Sequence, residues 1–107
     1  MPEPPDRPLR IAQRPGELVL ALHGELDMAD TDALVAAAAD LAAEPGDLTL
    51  DLTELTFIDS SGLLALLRTA DRMSDGRLIL LRPTEQVRKV FEMVELAAVS
   101  PRIVIAG

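Results

Sequence analysis

The apolar residues of this chain change period along its length, and that change restricts the fold more than any other feature. Leu48, Leu50 and Leu52 alternate with Thr49, Asp51 and Thr53, a period of two that puts them on one face of a strand. Beyond them, Leu63, Leu66, Leu67 and Ala70 recur at i, i+3, i+4 and i+7, the stripe of an amphipathic helix. A chain that switches between these periods more than once builds a sheet with helices packed on it.

The rest of the chain continues the alternation. Leu9 to Gln13 is a short strand candidate, Pro15-Gly16 is a turn, and Glu17 to Gly24 is a mostly apolar strand. So short a connection forces these two strands to be antiparallel, because a parallel return needs a long crossover. Asp27 to Glu44 reads as helix, with Asp30 or Thr31 as its cap and Leu34, Ala38, Leu41 and Ala42 on its inner face; Pro45-Gly46 stops it. The helix starting at Ser61 runs to Ser74, and Asp75-Gly76 ends it. Arg77 to Leu81 is a buried strand. Thr84 caps a third helix whose inner face is Val87, Val90, Phe91 and Val94, and Ile103 to Ile105 is a final β-branched strand. The order β-β-α-β-α-β-α-β implies an α/β fold: a mixed, mainly parallel sheet with an antiparallel hairpin at its start and three helices.

At 107 residues the chain has room for one domain. Residues 1–8, with Pro2, Pro4, Pro5 and Pro8 among charged residues, read as a disordered lead-in, and residues 9–107 as the domain. Apolar residues make up 49% of the chain, but there are only two Phe and no Trp or Tyr. The core is therefore aliphatic, and no platforms exist for stacking nucleic-acid bases. The net charge of −8, with ten dispersed basic residues, argues against nucleic acid and anionic membranes as partners. With no cysteine, disulfides, thiolate metal sites and cysteine nucleophiles are excluded. No metal or cofactor is expected. No stretch has the apolar length to span a bilayer, and Met1 to Asp6 lacks the charge and apolar pattern of a signal peptide. Cytoplasmic residence is the resulting expectation.

The segment Phe57-Ile58-Asp59-Ser60-Ser61-Gly62-Leu63 sits where a strand gives way to a helix. The first N–H groups of a helix lack partners, and its dipole is positive at that end. A carboxylate or hydroxyl cap, or a phosphate, is therefore at home there. From spacing alone the residues are caps, with Gly62 easing a tight turn, or they carry function. Both readings stand on these residues.

The same segment resembles the signature of STAS-domain anti-sigma factor antagonists. Gly24-Glu25-Leu26-Asp27 resembles a second motif of that family, and the resemblance extends over residues 9–106. It implies a partner-switching cycle. The unphosphorylated protein binds an anti-sigma factor that is itself a serine kinase, and so frees a sigma factor. That kinase phosphorylates the serine directly after the aspartate, here Ser60, and a separate serine phosphatase resets the protein. By this resemblance the chain is a binding module, not an enzyme. Ser60 is the phosphorylation site, and Asp27, Asp59, Ser61, Gly62, Leu63 and Leu64 are candidates for partner contact. Asp59 is assigned as a neighbour that positions Ser60, and Ser61 as the helix cap. Leu64 either anchors the partner or widens the buried stripe. Many family members have a small residue at that position.

Other residues read as structural. His23 stands alone within a strand, Met28, Met73 and Met93 belong to core or loops, and Asp51 and Glu54 are solvated. A response-regulator receiver also places an aspartate at the end of a central strand. It needs an acidic pair after the first strand and a lysine near the last, whereas the only lysine, Lys89, falls within the third helix. A serine hydrolase would need a Gly-x-Ser-x-Gly elbow, which is missing around Ser60. A constitutive STAS scaffold, as in lipid-transport complexes, is the alternative within the same fold.

Overall fold

A computed structural model describes residues 8–107. The lead-in expected at residues 1–8 lies, apart from Pro8, outside the described residues. The strands are β1 (Arg10–Gln13), β2 (Val19–Leu26), β3 (Leu48–Ile58), β4 (Leu78–Leu81) and β5 (Ile103–Ala106). The helices are α1 (Thr31–Ala42), α2 (Ser60–Asp71), α3 (Glu85–Met93) and α4 (Leu96–Val99). The sheet order is β1-β2-β3-β4-β5, with β1 and β2 antiparallel and every later neighbour parallel. This is the α/β architecture read from the sequence. Two elements are added: a 3-10 turn, Met28–Asp30, precedes α1, and the short helix α4 follows α3. Two helices are also shorter than their apolar pattern, α1 starting at Thr31 and not Asp27 and ending before Glu44, and α2 ending at Asp71 and not Ser74.

Parallel strands that follow one another in sequence order, joined by crossovers of one hand, keep their helices on one face. Burial agrees. Leu20, Leu22 and Leu26 of β2, Leu48 and Leu50 of β3, and Leu78 and Leu80 of β4 are fully covered, while Val19, Ala21, His23, Thr49, Ile79 and Leu81 between them are half-buried. Leu34 and Ala38 of α1, Leu66 and Ala70 of α2, and Val87 and Phe91 of α3 complete the core. Val94 does not join it. It is 42% exposed, because α3 has ended and the chain turns through a left-handed residue, Glu95 (φ 50°).

The alternation in β3 holds from Leu48 to Leu52, then shifts to Leu55 and Ile58. The pairing with β2 shows why. Ala21 pairs with Asp51 but His23 with Glu54, and Gly24 pairs with Leu55 but Glu25 with Phe57. Each irregularity inserts one extra residue in β3, and each such bulge turns the following side chains to the other face. Side chains tie both bulges down. The Thr53 N–H and hydroxyl donate to Asp51 Oδ1 (3.0 and 2.6 Å) and Arg14 donates to its Oδ2. The Thr56 hydroxyl donates to the Gly24 carbonyl (3.1 Å). Asp51 is therefore a buried, 8% exposed ion-pair partner, and not the solvated residue expected; Glu54 is exposed as expected. Burial works to raise the pKa of Asp51, but the Thr53 hydrogen bonds and the Arg14 charge outweigh it and hold the carboxyl below its ordinary range.

Candidate functional site

Leu26 at the end of β2 pairs with Ile58 at the end of β3. The residues that follow, Asp27 and Asp59, therefore start two loops side by side, although 32 positions separate them in sequence. The Asp59 N–H donates to the Leu26 carbonyl (3.3 Å) and closes the junction. The C-terminal edge of parallel strands is where α/β sheets present their functional loops.

Asp59 is extended (φ −113°, ψ −173°), and its Oδ1 accepts the Gly62 N–H at 2.9 Å. This makes Asp59 the cap of α2, not Ser61. Ser60 and Ser61 have already entered the helix, and a cap needs the non-helical backbone that only Asp59 has. Ser60 is exposed and Ser61 half-buried. The Ser61 carbonyl lies 3.5 Å from the Thr31 hydroxyl, which also donates to the Asp27 carbonyl (3.3 Å).

Gly62 is needed here for closeness. A Cβ at this position would stand 2.6 Å from Ile58 Cγ1, 2.8 Å from the Leu26 carbonyl oxygen and 2.9 Å from Leu26 Cγ. Only a glycine lets α2 start against the ends of β2 and β3. Gly62 and Leu63 are buried, so they shape the site from beneath.

On the neighbouring loop Asp27 accepts the Ala29 N–H (3.0 Å) and caps the 3-10 turn. Asp30 precedes α1 without a side-chain capping bond. Partial burial, followed by the Asp27 carboxyl beside it, raises its pKa.

One apolar feature adjoins the serines. A groove of about 450 Å³ runs between α2 and the corner where α3 meets α4, with Ser60, Leu64 and Leu67 on one side and Val94, Leu96 and Val99 on the other. Leu64 is 45% exposed, so it stands out of the buried stripe. The sequence pattern missed the second wall. Only the β-branched Val94 and Val99 around a four-residue helix hinted at it, and no glycine marks the left-handed turn at Glu95. Met73 is buried, while Met28 and Met93 are exposed loop or helix-end residues. Among the described residues no three His, Asp or Glu side chains are grouped to hold a metal, and no helix is long and apolar enough to cross a membrane.

Solved structures similar to this chain include two proteins described as anti-sigma factor antagonists. SpoIIAA in its unphosphorylated form is 25% identical, with a TM-score of 0.69 over 94% of this chain and 89% of that one. An antagonist from Mycobacterium paratuberculosis is 22% identical, with a TM-score of 0.73 over 96% and 89%; at that identity the likeness shows the fold. No curated protein matches by sequence. The STAS domain model matches residues 8–104, and with nearly the whole length covered, the chain belongs to the STAS domain family.

Proposed function

We propose that this protein is an anti-sigma factor antagonist that works as a binding module. Unphosphorylated, it binds an anti-sigma factor that is a serine kinase and so frees a sigma factor. Phosphorylation of Ser60 releases it, and a serine phosphatase returns it to the binding form. The observation that carries this reading is the placement of Ser60. It is the exposed first residue of α2, beside a carboxylate cap and on the rim of an apolar groove. The structural likeness to proteins described as anti-sigma factor antagonists supports it.

The chemistry of the switch follows from that placement. Ser60 projects from a helix start whose own first N–H groups and dipole tolerate a phosphate. Within the free protein the modification is thus mild. In a complex the phosphate's charge, about −1.5 to −2 at neutral pH, would be covered by the partner. Asp59 beside it sharpens the penalty, because a repulsion that water screens in the free protein strengthens once the partner excludes that water. A penalty of about 2.7 kcal/mol weakens binding about a hundredfold, enough to exchange partners.

Binding of the purified kinase to wild type, Ser60→Ala and Ser60→Asp separates this reading from a constitutive scaffold. The switch predicts that Ser60→Ala binds and Ser60→Asp does not. Equal binding by all three would leave the scaffold.

A further inference from the structure

The groove beside Ser60 is built unlike a small-molecule pocket. It lacks convergent polar groups on its apolar walls, and Leu64, Val94 and Val99 stand 45%, 42% and 59% exposed along it. Exposed aliphatic side chains gathered on one small acidic protein mark a protein-binding surface. The charges around it indicate what it binds. None of them lines the groove itself. Asp59 adjoins Ser60, Asp27 starts the neighbouring loop, and Glu92 and Glu95 flank Val94 in sequence on the α3–α4 corner, against one exposed cation on α2, Arg68. Among the described residues none of the four acids forms an ion pair. The protein carries −8 overall.

We infer that this groove, walled by α2 on one side and the α3–α4 corner on the other, is the docking seat for a segment of the anti-sigma kinase that carries an aliphatic or aromatic residue flanked by Lys or Arg. The inference rests on the proposed function and adds its second wall, Val94, Leu96 and Val99. It also states how the phosphate acts. The apolar residue seats against the rim that holds Ser60, so a phosphate there must be stripped of water as the groove fills. The basic flank meets the acidic rim and speeds encounter, an effect that weakens with salt.

The test uses the full chain and its kinase, captured on the wild-type protein and then purified; capture of no kinase overturns both the inference and the proposed function. Affinity is measured for wild type, Ser60→Asp, Val99→Asp and Met93→Asp. Val99 and Met93 are both exposed, so the variants fold, and a thermal melt checks this. Val94→Asp replaces Val99→Asp if that variant melts early. Met93 is not part of the groove, and it controls for added charge. The inference expects at least tenfold weaker binding for Val99→Asp, less than twofold change for Met93→Asp, and weaker wild-type binding as salt rises. If Ser60→Asp weakens binding and Val99→Asp does not, the groove is overturned and the switch stands. If Val99→Asp weakens binding and Ser60→Asp does not, the groove stands and the switch falls. A wild-type dimer broken by Val99→Asp with kinase affinity unchanged assigns the groove to a second copy and overturns the inference.

Discussion

Gly62→Ala should destabilise the protein, although alanine is the better helix former. Replacing a helical glycine by alanine gains about 1 kcal/mol from backbone entropy. Against that, the new methyl would meet three heavy atoms at 2.6–2.9 Å. Ile58 Cγ1 and Leu26 Cγ can rotate or shift, but the Leu26 carbonyl oxygen is backbone. It also accepts the Asp59 N–H, so moving it strains the bond that closes the junction. Overpacking of this kind costs about 1–3 kcal/mol. With one immovable contact we take the upper end, which leaves a net loss of about 2 kcal/mol. A domain of this size would then melt roughly 8–16 °C lower. Urea unfolding with an unchanged slope reads the loss as native-state stability. The start of α2 should also lift away from the ends of β2 and β3 and carry Ser60 with it, so kinase affinity should fall with stability. A variant as stable as the wild type, or more stable, would refute the close approach on which the site geometry depends.

Other consequences concern single contacts. Asp59→Ala removes the cap of α2 and should cost about 1 kcal/mol, while Asp59→Asn keeps an accepting oxygen and most of that stability; chemical denaturation distinguishes them. Because the folded pKa of Asp51 is depressed, its contribution to stability is full above about pH 4 and is lost as pH falls through the folded value. Asp51→Asn should therefore be less stable than wild type at neutral pH, with the gap closing in acid; a gap constant with pH would contradict the ion-pair account. Glu95 holds a left-handed backbone that costs an L-residue about 1–2 kcal/mol. Glu95→Gly should relieve it and raise stability by about 0.5–1 kcal/mol after the greater chain entropy of glycine is counted; a lower melting temperature would argue against strain there.

Periodicity made most of the fold legible. The apolar run of β2, the alternation in the first half of β3, the α2 stripe and the Pro15-Gly16 turn each act through local geometry that neighbouring residues determine. What escaped was set by residues far apart in sequence. The β3 bulges depend on pairing with β2, and so does the burial of Asp51, which needs Arg14 from beyond the hairpin turn. The choice of cap was also hidden. Asp59, Ser60 and Ser61 can all cap by chemistry, and only the backbone angles at the end of β3 select Asp59. The two motifs of the site were visible separately. Their contact follows from the Leu26–Ile58 pairing, which no local pattern encodes. The second wall of the groove lay in a helix of four residues, too short to show a stripe.

The central claim is that Ser60 carries the switch. Its most direct test is site-mapped mass spectrometry of the protein after incubation with its anti-sigma kinase, ATP and magnesium. Wild type and Ser61→Ala should each gain one phosphate, mapped to Ser60 in both, and Ser60→Ala should gain none. A phosphate on Ser61, or none on the wild type, would contradict the account.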